Sequence, residues 1–283
     1  MPIKQQTPSS QNYKLSRDVL VRSVGVSSDI LVMRGLSEVE DHADRIVVRT
    51  PSEPDYWFGN MVIFRTNEAL PEAQIDRFRA DFPTAGHVTL GWDAPNMVRG
   101  EEHDRLAAMG FDISQTDVLT LKGPLNRASG PAKIAVRPIQ TDPEWEQVIA
   151  LQVEIRVEEG RSHDECTPFV RNRFSNRRRQ IEEGWACWFG AFDGDFLVGD
   201  MGVFMGDRLA RYQDVETRAS HRRQGICAEL VTAAADWARR NDPGIVPVVQ
   251  ANSRGNAGRV YRRCGFAHTE TLVSAVKGSA SGN

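Results

Sequence analysis

Residues 215–227 combine a strand-like segment, a tight turn and the start of a helix, an arrangement that can hold a phosphate group. The segment reads Val215-Glu-Thr-Arg-Ala-Ser-His-Arg-Arg-Gln-Gly-Ile-Cys227, and residues at helical spacing follow it. The first turn of a helix has unpaired backbone N–H groups and a partial positive charge, so it binds a pyrophosphate well. Arg222 and Arg223 add positive charge. Taken alone, an Arg-x-x-Gly-x-Cys segment is equally compatible with a surface turn whose arginines are solvated.

A second segment, about 30 residues downstream, makes the first more specific. It contains Asn252, Asn256, Ala257 and Val260-Tyr-Arg-Arg-Cys-Gly-Phe266, which predict a strand end, a short helix and a glycine stop. Loop and segment together resemble the GNAT superfamily of acyl-CoA N-acyltransferases. In that family an R/Q-x-x-G-x-G/A loop precedes an N-x-x-A-x-x-L-Y-x-x-x-G-F segment. The resemblance covers roughly residues 134–276 and is strongest over 215–266.

The resemblance implies acetyl-CoA (coenzyme A) as the co-substrate and no metal. Backbone groups of Val215 and Thr217 would bind the pantetheine arm. The pyrophosphate would be wrapped by the loop, which consists of Arg222, Arg223, Gln224, Gly225, Ile226 and Cys227. Cys227 departs from the usual Gly or Ala, but its side chain is small.

Tyr261 would protonate the departing thiolate, a role that suits a phenol that is neutral at pH 7. The alternative is a helix aromatic packed on the sheet. Asn256 would contact the pantetheine. The family pattern places an Asn seven residues before the Tyr, but Arg254 stands there, between Asn252 and Asn256. Which Asn contacts the cofactor therefore stays open.

The general base is not identified by the pattern. Family members often place a carboxylate or His at the strand positions that Arg211 and Gln213 occupy here. Asp214 and Glu216 lie on the other face of the same strand, where carboxylates are often structural. A water chain, or Glu158, Glu159 or Asp164, could serve instead.

Two other clusters receive structural interpretations. Residues 163–166 (His-Asp-Glu-Cys) contain metal-ligand types, but adjacent side chains cannot all face one ion, so a loop beside the acceptor pocket is expected. The triplet Arg177–Arg179 is expected to be a solvated helix face.

The order of predicted elements indicates an α/β (α+β) fold with two tandem GNAT-like domains, each a curved mixed β-sheet flanked by helices. We predict a disordered tail over 1–13, a degenerate GNAT-like domain over 14–122, a linker over 123–133 and a catalytic GNAT domain over 134–283. The linker is inferred from a cluster of Gly, Pro, Ser and Ala.

The degenerate repeat rests on two matches. Leu106-Ala-Ala-Met-Gly-Phe111 parallels Tyr261-Arg-Arg-Cys-Gly-Phe266, and Trp-Phe-Gly occurs at 57–59 and at 188–190. The first copy is shorter where the second holds its phosphate loop, and Leu106 stands in place of Tyr261. That copy is not expected to acetylate. In it, DILVMR (29–34) is expected to be a strand.

Composition excludes several classes of protein. A net charge of −3 argues against general nucleic-acid binding, and no apolar stretch has the ~20 residues that a spanning helix needs. The N-terminus lacks the apolar stretch of a signal peptide, so a cytoplasmic protein with reduced cysteines is expected. We expect a small-molecule amine acceptor, no nucleic acid and no membrane; a homodimer is left open.

The expected function is transfer of the acetyl group of acetyl-CoA to a primary amine by direct attack in a ternary complex. The alternative is a non-catalytic acyl-CoA-binding or interaction protein on the same fold.

Overall fold

The computed structural model describes residues 20–67, 70–127, 133–253, 255 and 257–278. The predicted tail, part of the linker, and Arg254 and Asn256 lie outside the described residues. In chain order the elements are α1 (Val24–Val32), β1 (Glu38–Asp41), β2 (Arg45–Arg49), β3 (Met61–Phe64), α2 (Pro71–Asp81), β4 (His87–Trp92), α3 (Glu101–Ala108), β5 (Asp112–Thr120), β6 (Ile134–Pro138), α4 (Asp142–Glu158), α5 (His163–Glu182), β7 (Ala186–Asp193), β8 (Phe196–Gly206), β9 (Leu209–Thr217), α6 (Ile226–Asn241), β10 (Val246–Asn252), α7 (Ala257–Arg263) and β11 (Ala267–Gly278).

The chain forms two compact units. The C-terminal unit comprises the described residues between 119 and 249 and those of 257–267. The N-terminal unit comprises the described residues between 20 and 118, residues 250–253 and 255, and residues 268–278. Both are groupings in space, and the predicted domain bounds along the sequence stay a prediction.

The C-terminal unit is a mixed sheet with helices on both faces. Its strands follow the order β6-β7-β8-β9-β10, antiparallel except for the parallel pair β9–β10. Successive side chains of a strand point to opposite faces. Trp188 of β7 packs on Phe174 of α5 with ring centroids 5.0 Å apart, and its neighbour Phe189 packs on Trp237 of α6 at 6.3 Å. The helices therefore sandwich the sheet, as the sequence predicts.

The N-terminal unit repeats the same order in a smaller form. Its strands follow β1-β2-β3-β4-β11-β5, and β3 runs parallel to β4 with α2 between them in the chain. This matches β9, α6 and β10 of the C-terminal unit. The core of the N-terminal unit contains Phe78, Leu90, Trp92 and Leu106, all buried.

The two copies close in the same way. Phe111 N donates to Leu106 O at 3.1 Å, and Phe266 N donates to Tyr261 O at 3.1 Å. The glycines before these phenylalanines, Gly110 and Gly265, both have positive φ, 89° and 101°. The shared geometry supports the alignment of Leu106 with Tyr261.

Three local expectations are wrong. Residues 29–34 do not form a strand, because Ser23 caps α1 by accepting from Val26 N; a short apolar run cannot by itself distinguish helix from strand. Trp57–Gly59 is a 3-10 turn before β3, whereas Trp188-Phe-Gly lies within β7, so that match is not structural. Finally, α5 already begins at His163, because Ser162 is its N-cap residue and Pro168 is accommodated near the start.

Candidate functional site

A bulge interrupts β9 at Asp214 and Val215. Asp200 of β8 pairs with Glu216, and Gly202 pairs with Gln213. Two residues of β9, Asp214 and Val215, therefore oppose the single residue of β8 that lies between Asp200 and Gly202. Asp214 has a left-handed backbone with φ 49°. A bulge re-aims side chains and releases backbone groups from the ladder. Backbone polar groups at Asp214 and Val215 are thereby freed from regular pairing.

The edge of β9 that faces β10 is paired with that strand only in its first part. Its parallel pairing with β10 covers Leu209, Ala210 and Arg211, and the last pair is Arg211 with Val248. Within the described residues, 212–217 have no strand partner on that edge. Val215 and Thr217, the predicted pantetheine ligands, both lie on this open segment. An extended ligand with amide groups could pair there as a strand would.

The predicted phosphate loop joins β9 to α6. Gly225 is the N-cap of α6 with φ 85°, and Arg223 has φ 63°. These left-handed residues fold the chain tightly into the helix. Arg222, Arg223, Gln224 and Gly225 are exposed, whereas Ile226 is buried and anchors the first turn.

Arg222 is held by groups outside the loop. Arg222 Nε donates to Thr217 O at 3.0 Å, and its Nη2 contacts Glu158 Oε2 at 2.5 Å. The guanidinium of Arg222 therefore lies between the end of β9 and Glu158, and the side chain is 47% exposed. Together with the first-turn N–H groups of a 16-residue helix, the loop presents positive potential to solvent.

Tyr261 lies in α7, buried against the sheet. Its ring contacts Phe266 with centroids 6.2 Å apart. Burial raises the pKa of Tyr261 above its ordinary value, and Cys227 and Glu216 are near enough to raise it further. The phenol is therefore neutral and can donate a proton. Burial likewise raises the pKa of Cys227 to about 12, so this departure from the family pattern adds no charge.

Glu216 combines burial with like-charged neighbours. Burial raises its pKa to about 7, and Asp214 and Glu159 add to the effect. A carboxyl group with a pKa near neutrality can accept a proton at the pH at which it works. The structure thus brings Glu216, Tyr261 and the loop residue Cys227 within electrostatic range of one another.

Asp214 is in the opposite electrostatic situation. Burial raises the pKa of Asp214, but Arg173, Arg177 and Arg156 outweigh it and hold the pKa below its usual range. Arg173 Nη2 lies 3.4 Å from Asp214 Oδ2. The ionised Asp214 is therefore a weak base, and its charge helps to raise the pKa of Glu216.

The remaining candidates are dispersed. Glu158 is paired with Arg222, and Asp164 lies fully exposed in the first turn of α5. Asn252 is the last residue of β10 and belongs to the N-terminal unit. Their roles, like those of the other site residues, stay predictions.

The sequence analysis missed an arginine cluster. Arg177 was expected on a solvated face, but it is fully buried, and its guanidinium lies 4.9 Å from the ring centroid of Phe204. Of its neighbours, Arg179 is exposed, and the side chain of Arg178 is 41% exposed. The signal was the i, i+4 spacing of Arg173 and Arg177, which places both on one helix face.

Within the described ranges, no group of three or more His, Cys, Asp or Glu side chains is arranged to hold a metal ion. None of the helices described is long and apolar enough to cross a membrane.

Comparison with known family models gives a match over part of the chain. Residues 151–266, which contain the bulge, loop and Tyr261, match the model of the Acetyltransferase (GNAT) family. No curated protein is similar enough to match the sequence.

Solved structures extend the similarity to the whole chain. A GCN5-related N-acetyltransferase from Kribbella flavida is 18% identical with TM-score 0.58, and the alignment covers 92% of this chain and 98% of that one. A tandem GNAT protein from the clavulanic acid biosynthesis pathway is 16% identical with TM-score 0.55, covering 91% and 89%. A functionally unknown conserved protein from Staphylococcus epidermidis is 12% identical with TM-score 0.63, covering 85% and 93%. Residues 151–266 therefore match the GNAT family model, and the fold of the whole chain is similar to that of a tandem GNAT protein.

Proposed function

We propose that this protein is an N-acetyltransferase that moves the acetyl group of acetyl-CoA to a primary amine by direct attack in a ternary complex. One observation carries the proposal. A carboxyl group with a pKa near 7, Glu216, lies within electrostatic range of a buried neutral phenol, Tyr261, beside a bulged strand and a helix N-terminus. The groups to which we assign the roles of acid, base and anion site all belong to the C-terminal unit.

The residues present suit acetyl-CoA. The open edge at Val215 and Thr217 offers backbone groups to the pantetheine amides. The loop offers first-turn N–H groups and the charges of Arg222 and Arg223 to the pyrophosphate. When bound, acetyl-CoA supplies an activated acetyl group as a thioester.

Two side chains, Glu216 and Tyr261, carry out the proton transfers. Glu216 accepts a proton from the amine as its nitrogen bonds to the acetyl carbon. A backbone N–H released by the bulge donates a hydrogen bond to the carbonyl oxygen. Tyr261 donates its proton to the sulfur as the carbon–sulfur bond breaks, and the proton held by Glu216 returns to Tyr261 through solvent. The net products are an amide and the free thiol. A cytoplasmic location and a small-molecule acceptor belong to this proposal.

The test is CoA release from acetyl-CoA over a panel of amines, with Glu216→Gln as the diagnostic variant. Removing the base is expected to lower kcat by about 10²-fold or more, while calorimetry shows acetyl-CoA binding unchanged. The matched control is Glu146→Gln, an exposed residue of α4 paired with Arg171.

The alternative, a non-catalytic acyl-CoA-binding protein, predicts acetyl-CoA binding without release for every amine. That result would overturn the proposal. Turnover in Glu216→Gln equal to the wild type would remove Glu216 from the mechanism.

A further inference from the structure

Three buried side chains from β7, β8 and α4 form a hydrogen-bonded chain opposite the bulge. Trp188 Nε1 donates to Asp200 Oδ2 at 2.8 Å, and Gln152 Nε2 donates to the two carboxyl oxygens of Asp200 at 3.1 and 3.2 Å. Trp188 is 1% exposed, Asp200 0% and Gln152 5%. Hydrogen bonds between buried groups are expensive to break, because water cannot replace them. The chain therefore holds Asp200 in place.

The same chain fixes both residues of β8 that flank the bulge. Asp200 pairs with Glu216 on one side of it, and Gly202 pairs with Gln213 on the other. The ring of Trp188 lies against Gly202 so closely that a β-carbon at Gly202 would collide with it. Because Trp188 contacts Gly202 with its ring and Asp200 with its N–H, it braces β8 on both sides of the bulge.

Gln152 also reaches the bulge itself. Its Nε2 donates to the carbonyl oxygen of Asp214 at 3.5 Å. A side-chain amide has two N–H hydrogens, so one can serve Asp200 while the other serves Asp214. Asp214 has a left-handed backbone, φ 49°, which a residue other than glycine keeps only where its surroundings hold it. The amide of Gln152 is one of the contacts that hold it.

The geometry of the peptide group carries this contact to the next residue. A peptide is planar and trans, so the carbonyl oxygen of Asp214 and the N–H of Val215 point in opposite directions. A contact that fixes the carbonyl therefore fixes the N–H as well, and this N–H points away from Gln152. A donor whose direction is set before the reaction stabilises a developing oxyanion without having to reorganise.

We propose that Gln152 is a positioning residue for the acetyl transfer. Held by Asp200 and Trp188, it fixes the peptide between Asp214 and Val215 so that the N–H of Val215 donates to the carbonyl oxygen of the thioester. The inference rests on the proposed function, because it assigns a support to the oxyanion donor of the same site. Gln152 acts only through the backbone of the bulge.

The test removes the donor of Gln152 and keeps the size of the side chain. Gln152→Met should lower kcat by about 10-fold or more, because the oxyanion donor is no longer held in one direction. Acetyl-CoA affinity, measured by calorimetry, should change little. The matched control is Gln147→Met on the same helix. Gln147 Nε2 donates to Asp195 O at 3.0 Å, and its Oε1 accepts from Leu197 N at 2.8 Å, so this variant loses bonds to β8 and its turn but none at the bulge. Its kcat should equal that of the wild type.

A second variant keeps the test decisive if Gln152→Met does not fold. Trp188→Phe retains a ring against Gly202 and removes only the donor to Asp200. It should lower kcat in the same direction by a smaller factor, again with acetyl-CoA affinity little changed.

Amide hydrogen exchange provides a readout that does not depend on turnover. Exchange at residues 214–216 should be faster in Gln152→Met than in the wild type and unchanged in Gln147→Met. Equal kcat in these two variants, or unchanged exchange at the bulge, would overturn the inference. So would a loss of acetyl-CoA affinity as large as the loss of kcat, because that points to a general structural role. Absence of turnover in the wild type with every amine would instead overturn the proposed function, and the exchange comparison would still decide whether Gln152 holds the bulge.

Discussion

At the scale of single residues, Asp214 and Glu216 differ because of what surrounds them. Asp214 and Glu216 are two residues apart on β9, at the bulge and directly after it, and the arginines of α4 and α5 act mainly on Asp214. Asp214 is thereby kept ionised, and its charge, added to burial, raises the pKa of Glu216. We therefore expect Asp214 to act as a positioning residue that raises the basicity of its neighbour Glu216.

Asp214→Asn should therefore shift the pH profile of transfer. In the wild type, we expect kcat/KM to rise as the pH passes about 7, because on the proposed mechanism Glu216 must lose its proton to act as a base. Removing the negative charge at 214 lowers the pKa of Glu216, so the rising limb moves to lower pH. Asn accepts the left-handed backbone at this position, φ 49°, so the bulge is retained. If the rising limb of the rate–pH profile stays at the wild-type pH in this variant, the expected coupling between Asp214 and Glu216 is wrong.

Tyr261→Phe should lower kcat by about 10²-fold or more, because the ring is kept and the donated proton is lost. Acetyl-CoA affinity, measured by calorimetry, should change little. The matched control is Tyr212→Phe on β9, whose hydroxyl donates to Val231 O at 3.3 Å on the α6 side of the sheet. Wild-type turnover in the Tyr261 variant would leave this residue as a core aromatic.

At the scale of elements, the N-terminus of α6 is the feature that sequence indicates best. A glycine with φ 85°, a buried Ile226 and a following amphipathic helix all follow from the local pattern. The bulge was not predictable, because its register depends on pairing with β8, and no residue of β9 marks it. The buried Arg177 was missed for a similar reason: only packing against Phe204 turns an apparently solvated arginine inward.

Gly225→Glu should abolish acetyl-CoA binding while the fold is kept. The substitution places a negative side chain at the helix end where the pyrophosphate is expected, and the helix end loses its left-handed glycine. Gly194→Glu is a matched control, because Gly194 also has positive φ, 61°, lies in the turn between β7 and β8, and has open space around it. Calorimetry should find binding in this control only. Unchanged affinity in Gly225→Glu would remove the loop from the cofactor site.

At the scale of the whole molecule, the two units share an order of elements but differ where the cofactor would bind. In the N-terminal unit β3 and β4 stay paired to their ends, through Phe64 with Trp92, and Asp93 N then donates to Phe64 O at 2.8 Å. The carboxylate of Asp93 accepts from the backbone N of Ser23 at 2.8 Å. The ends of β9 and β10 are not paired with each other in the C-terminal unit. The corresponding ends of β3 and β4 are held together by their own backbone hydrogen bonds.

The helix after β3 is also unsuited to an anion. α2 begins with Pro71, which has no N–H to donate, and Glu72 follows in its first turn. By contrast, α6 begins with Ile226 and has no acidic residue before Glu229. Leu106, buried at the position of Tyr261, has no proton to give.

We therefore expect one acetyl-CoA per chain in a calorimetric titration. The measurement needs the full chain. Residues 268–278 of β11 belong to the N-terminal unit, and residues 274–278 pair with β4, so a fragment of the first half would lack a strand of its own sheet. The variant Gly225→Glu then assigns the site. If the stoichiometry falls from one to zero, the site is in the C-terminal unit, as the open strand edge and the helix end predict. Two sites in the wild type would contradict the closure of β3 and β4. One site retained in the variant, with affinity unchanged, would place acetyl-CoA outside the loop and leave Tyr261 without a thiolate to protonate.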